Sequence, residues 1–217
     1  MTDLYIGASQ GLAAAYQQYR ESQGHVCYSV SSRPGERTCE VDWSNINTSS
    51  LHRWAQTLPP LDLVFFNQNS SALSTDSFAS MPTLKLWQQV AHWQQSYFVS
   101  CQLPYLVIQT LGARISDQTR VVWMLSGMVT RPFADPGYAD YIGNKYQNML
   151  IMRNFAQSAP GCFVGIDPGN IATGHVSQQL QGLDRVIALP RDQANGNVFG
   201  LDGNRAQNFD MFTQFDQ

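Results

Sequence analysis

The stretch "YADYIGNKY", residues 138–146, sets Tyr141 and Lys145 four places apart within a helical pattern. Residues at i and i+4 stack on one helical face, so the ammonium comes within several ångströms of the phenol. A free tyrosine titrates near pH ~10, and a neighbouring positive charge favours the phenolate and draws that value down. A phenol tuned in this way can give or take a proton near neutrality, which is the work of a general acid/base. An isolated Tyr-x-x-x-Lys is most often a solvated surface pair. The chemistry therefore requires a cofactor and a third catalytic group from elsewhere in the chain. Gly143, between the two, reads as a small residue that lets a neighbouring element approach the helix.

Short apolar runs alternate with longer helical patterns. Strands are expected at 4–7, 25–30, 38–42, 61–66, 120–125, 162–166 and 197–201. Helices are expected at 10–23, 49–58, roughly 83–111, and from the Asp135-Pro136 start signal to about Ala156. Valine- and aromatic-rich strands alternating with helices predict an α/β fold: a Rossmann-like, doubly wound parallel sheet flanked by helices, in one compact domain spanning 1–217. Ligands bind such sheets at the carboxyl ends of the strands. The unusual residues fall there: Gly7-Ala8-Ser9-Gln10-Gly11 after the first strand, Asn67-Gln68-Asn69 after the fourth, Ser126 after the fifth, and Pro168-Gly169 after the sixth.

The chain of 217 residues can bury one sizeable core, and its formal charge of −3 offers no basic field for nucleic acid. No apolar run is long enough to span a membrane, and the N-terminus lacks a basic leader followed by an apolar stretch. Cys27, Cys39, Cys101 and Cys162 form no C-x-x-C pair and read as reduced thiols of a cytoplasmic protein. The four histidines are equally scattered, and no metal site is expected.

In "IGASQGLA" (6–13), Gly7 and Gly11 occupy a strand-to-helix turn, where glycine allows positive φ and lets a pyrophosphate reach backbone N–H groups. With Ser126 and Tyr141-x-x-x-Lys145 added, the chain resembles the classical short-chain dehydrogenase/reductase family over nearly its whole length. Gly7 to Ala13 resembles that family's G-x-x-x-G-x-G, with Ala13 at the third glycine. Asp42 and Trp43 resemble the strand end that meets adenine. Asn67, Gln68 and Asn69 stand at its N-N-A-G segment, and Pro168, Gly169, Ile171 and Thr173 resemble the P-G-x-x-x-T that holds the nicotinamide. The resemblance implies that Tyr141 is the acid/base, Ser126 the stabiliser of the carbonyl oxygen, and Lys145 the group that tunes the phenol and binds ribose. Gly7, Ser9, Gln10, Gly11, Leu12, Ser32 and Arg33 join the cofactor-binding set.

The resemblance further implies an NAD(P)-dependent oxidoreductase acting on a small carbonyl or alcohol, as a homodimer or homotetramer built on its two long helices. The alternative is a catalytically weak or inactive dinucleotide-binding sensor or scaffold. Four departures separate the chain from the pattern. No asparagine occurs between Asn69 and Asn144, so the family's catalytic asparagine has no counterpart; Gln94 or Gln95 is the candidate substitute. Asn69 and Ser70 replace a small Ala-Gly pair. The loop 127–137 is slightly lengthened. A short substrate-binding segment at about 174–195 gives an abbreviated lid, which the partner subunit or the tail 208–217 could complete. At the end of the second strand, "VSSRPGER" (30–37) offers Ser32 and Arg33 where NAD-preferring folds place a carboxylate. A guanidinium pairs with a 2′-phosphate, so NADP(H) is the preferred cofactor, with NAD(H) second.

Overall fold

The computed structural model describes residues 1–68, 83–130, 139–169, 176–207 and 209. Seven parallel strands form one sheet in the order β3-β2-β1-β4-β5-β6-β7. These are β1 (Thr2–Ile6), β2 (Val26–Ser31), β3 (Thr38–Glu40), β4 (Leu63–Phe66), β5 (Arg120–Met124), β6 (Cys162–Asp167) and β7 (Val198–Gly200). β4 shows why the strands read as continuous apolar runs: both of its faces are covered. Phe66 stacks on Trp123 on one face, with ring centroids 4.5 Å apart, and Phe65 stacks on Tyr5 on the other, at 5.7 Å. The Trp123 side is covered by α2 (Thr48–Gln56), α4 (Leu103–Leu111) and α5 (Ala139–Ser158); the Tyr5 side by α1 (Gly11–Ser22) and α6 (Val176–Ile187).

The expected single helix over 83–111 is α3 (Thr83–Tyr97), a π-turn at Phe98–Gln102, and then α4. Pro104 supplies the reason. It has no N–H to give Ser100, and a wider turn absorbs the missing bond. The π-turn buries Val99, Ser100 and Cys101 against the fold. The start signal Asp135-Pro136 and the tail beyond Phe209 lie outside the described residues. Phe209 itself is fully buried, and its carbonyl accepts a bond from Arg153 at 3.1 Å.

The stretch 174–195, read as a short substrate-binding segment, carries α6 and the four-residue α7 (Arg191–Ala194). α6 went unread because glutamines interrupt its apolar stripe, although Gln179, Gly182, Leu183 and Val186 are buried on one face. Tyr16 of α1 bonds Asp184 of α6 at 2.6 Å. A Cβ at Gly182 would overlap the Leu201 carbonyl, so glycine is what lets α6 lie against the end of β7.

Gly143 corrects the reading given to it from sequence. It is exposed, and among the described residues nothing lies within 4 Å of where its Cβ would stand. Among the described residues no neighbouring element approaches it, and it is a weak point in α5. Gly143→Ala should therefore stabilise the protein by up to about 1 kcal/mol. Gly182→Ala, which forces backbone apart, should destabilise it by roughly 1–3 kcal/mol or more. Urea denaturation of both variants against wild type measures the two signs.

Candidate active site

The strand order reverses between β1 and β4, and the crevice this leaves is the site. Three strand ends are tied together beneath it. Gly7 N–H donates to Val30 O at 3.0 Å, Asn67 N–H to Ile6 O at 2.9 Å, and the Asn67 side-chain amide to Gly7 O at 3.1 Å. Gly7 has φ +79°, and a Cβ there would stand 2.6 Å from the Gln68 backbone, so only glycine fits. α1 then begins at Gly11 (φ +69°), and its N-cap residue Gln10 makes no side-chain capping bond. The first N–H groups of the helix are left for a ligand.

Over these ends lies a cleft of about 720 Å³. Gly7, Ser9, Gln10, Gly11 and Leu12 line it from β1 and α1; Ser32 and Arg33 from the end of β2; Trp43 after β3; Asn67 and Gln68 after β4. The structure thus brings ten of the sequence-derived cofactor residues to one crevice, with Val99 of the π-turn as a wall the sequence did not reveal. The Gln68 side-chain oxygen is buried with no hydrogen-bond partner among the described residues. An uncapped helix start, an arginine at the far end and an unsatisfied carbonyl suit a phosphate-bearing, hydroxyl-rich molecule, and a dinucleotide fits that chemistry. Asp42 stands beside the cleft, exposed, its carboxylate held low by bonds from the Ser44 hydroxyl and N–H. Gln95, read as a stand-in for the absent asparagine, donates its amide to Trp43 O instead.

The second half of the site lies beyond β5. Ser126 is buried, and its oxygen accepts a 3.3 Å bond from Met128 N–H, which leaves the hydroxyl proton available to another acceptor. Lys145 is buried at 4% exposure, and its ammonium donates to Met124 O at 2.8 Å, two residues before Ser126. The same ammonium lies 5.8 Å from the centre of the Tyr141 ring, so the i, i+4 stacking holds. A second bolt, Trp123 Nε1 to Asn148 Oδ1 at 3.2 Å, fixes α5 over β5. Pro168 and Gly169 follow β6, and Gly169 N–H donates to Asp167 at 3.0 Å. Asp167 also went unread; it merely precedes a Pro-Gly pair in the sequence. Asn69, Ile171 and Thr173 lie outside the described residues.

Sheet order, cleft and helix placement define the fold of the short-chain dehydrogenases. The solved structures it is similar to include a short chain dehydrogenase from Salmonella enterica serovar Typhi, with 15% identity, a TM-score of 0.73, and coverage of 92% of this chain and 95% of that one. The oxidoreductase yciK from E. coli is 14% identical with a TM-score of 0.74, over 92% and 94% of the two chains. A short chain dehydrogenase/reductase family oxidoreductase from Brucella ovis, solved in complex with a partially ordered NAD, is 17% identical with a TM-score of 0.71, over 92% and 98%. No family model matches the sequence.

Burial pushes the Lys145 ammonium down from the usual 10.5 to about 8. Below pH 8 the folded and unfolded chains both hold this proton, and the folded chain bears the whole cost of desolvating it. Between about 8 and 10.5 the unfolded chain still binds the proton that the folded chain has lost, so stability rises with pH there. The shift corresponds to about 3 kcal/mol at most. Relative to Lys145→Met, the wild-type protein should gain up to that amount as pH rises from 8 to above 10. Denaturation of both proteins across this range measures it.

Proposed function

We propose that the chain is a short-chain dehydrogenase/reductase, an NADP(H)-linked cytoplasmic oxidoreductase that reduces a small carbonyl compound or oxidises the corresponding alcohol. The observation that carries this reading is the cleft at the β1/β4 reversal together with a buried lysine under Tyr141, at the same end of one sheet. When bound, the reduced cofactor supplies a hydride to the carbonyl carbon. Tyr141 gives its phenolic proton to the carbonyl oxygen, and in the opposite direction takes it back from the alcohol. Ser126, whose oxygen accepts from Met128 N–H, donates its hydroxyl hydrogen to the same oxygen. Lys145 keeps two N–H groups beyond its bond to Met124 O; it sets positive charge against the phenol, and one of these N–H groups would bond a ribose hydroxyl.

The cofactor residues divide along the crevice. Gly7, Ser9, Gln10, Gly11 and Leu12 hold the diphosphate at the start of α1. Asp42 and Trp43 flank adenine. Asn67 and Gln68 would border the centre of the dinucleotide, and Pro168 and Gly169 would meet the nicotinamide half; the family resemblance assigns Asn69, Ile171 and Thr173 to the same set. Ser32 and Arg33 line the cleft at the end of β2, where NAD-preferring folds place a carboxylate that would repel a 2′-phosphate. The dinucleotide in the Brucella ovis neighbour supports ligand binding on this fold; Arg33 is what favours the phosphorylated form.

A second surface supports oligomerisation. Tyr97, Tyr105, Leu106 and Leu150, each 39–47% exposed, surround a groove of about 640 Å³ between the π-turn region and α5. A second copy of the chain covers this face in a homodimer or homotetramer, and a monomer in sedimentation at micromolar concentration would exclude it. The catalytically weak sensor keeps one observation in its favour: Gln95 is committed to Trp43. Saturable cofactor binding without turnover on a broad carbonyl panel would select that reading.

Tyr141→Phe should lower turnover by roughly 10²–10⁴-fold and leave cofactor affinity nearly unchanged, with Ser126→Ala similar. Following nicotinamide absorbance with a carbonyl panel measures this, and full activity of Tyr141→Phe contradicts the assignment. Arg33→Ala should weaken NADP(H) more than NAD(H). Equal wild-type affinities for the two cofactors would overturn the preference.

A further inference from the structure

We propose that Asp167 is a positioning residue that locks the Ser126 loop to the Pro168-Gly169 turn, so that the two walls of the reaction site keep one geometry. The inference rests on the function proposed above.

β5 and β6 run in register to the pair Met124 and Ile166, and the last backbone bond between them is Leu125 N–H to Ile166 O at 2.7 Å. Beyond it the chains part, one into the turn Gly127–Thr130 and the other into Pro168-Gly169. Asp167 spans this gap with a single oxygen. Its Oδ1 accepts from Gly127 N–H at 2.8 Å and from Gly169 N–H at 3.0 Å. The Gly169 bond alone would be an ordinary local turn, two residues along the chain. The Gly127 bond crosses forty residues and reaches the position directly after Ser126.

Residue choice at the other end agrees. A Cβ on Gly127 would stand 2.5 Å from Asp167 Oδ2, so the carboxylate approaches this closely only because position 127 is glycine. The turn it holds is closed by Thr130 Oγ1 to Gly127 O at 2.9 Å and by Met128 N–H to the Ser126 hydroxyl oxygen at 3.3 Å. The direction in which Ser126 presents its hydroxyl proton therefore depends on Gly127, and Gly127 depends on Asp167. Displacement of a reacting group by about 1 Å costs on the order of 10²-fold in rate. Both bonds need an acceptor oxygen, not a charge, so asparagine can serve where alanine cannot.

Asp167→Ala, Asp167→Asn and Gly127→Ala are compared with wild type by three readouts. In turnover, Asp167→Ala and Gly127→Ala should lose roughly ten- to hundredfold in kcat, and Asp167→Asn should stay within a few-fold of wild type. In binding, Asp167→Ala should weaken NADPH and leave 2′,5′-ADP, which lacks the nicotinamide half, unchanged. In amide exchange of the ligand-free protein, Gly127 and Gly169 should lose protection in Asp167→Ala and keep it in Asp167→Asn. Wild-type kcat in Asp167→Ala overturns the proposal, as does an Asp167→Asn as impaired as the alanine variant. If wild type itself binds NADPH without turnover, the oxidoreductase reading fails, while the binding and exchange readouts still decide the role of Asp167. Unchanged exchange at both glycines in Asp167→Ala rejects the lock whatever the activity.

Discussion

An ammonium group buried at 4% exposure, with no carboxylate paired to it among the described residues, sits over the carboxyl end of β5, and the placement of α5 follows from the need to solvate it. Stripping water from an ammonium costs several kcal/mol even after relaxation. A single main-chain carbonyl, Met124 O, partly offsets that cost, and it can do so only if α5 lies across the strand end. The Trp123–Asn148 bond holds the same alignment one helical turn further on, and Met149, Met152 and Phe155 bury the rest of that face. Packing alone would favour an apolar residue at position 145. A lysine kept there at such cost fits a site in which a positive charge must face a phenol and a developing oxyanion.

The reversal of strand order supplies the other half. Connections on either side of β1 leave in opposite directions, so the crevice stays open where Gly7 and Asn67 meet. Gly7 tolerates the Gln68 backbone against it, and α1 starts uncapped, so the fold leaves donors and space at one place; among the described residues positive φ is confined to glycine. Across the sheet, Asp167 and Gly127 make a comparable close approach between two strand ends. The site is thus assembled from strand termini pinned to one another, and its rigidity comes from the sheet beneath.

Much of this was legible because the sheet is covered on both faces. Fully apolar runs such as Leu63–Phe66 leave little doubt about strands, and glycine pairs at a strand-to-helix turn mark the cleft. Tyr141 and Lys145 were legible because helical spacing alone stacks them. What escaped depended on partners distant in sequence. α6 hides its apolar stripe behind glutamines, and Gly182 makes sense only beside Leu201. Gly143 resembles Gly182 in sequence and differs in surroundings, so the same inference fails at one and holds at the other. The π-turn needed the missing N–H of Pro104 to be counted against Ser100, and Asp167 acquires a role only once residue 127 stands beside it.

The central claim is that the crevice over β1 and β4 binds a nicotinamide dinucleotide. Its most direct test is a titration of the purified protein with NADPH, following energy transfer from protein tryptophans to the reduced nicotinamide. Trp43 lines the crevice and provides a donor at the site. The account predicts saturable transfer at one NADPH per chain, displaced by excess 2′,5′-ADP. Absence of saturable transfer, or binding that 2′,5′-ADP does not displace, would contradict it.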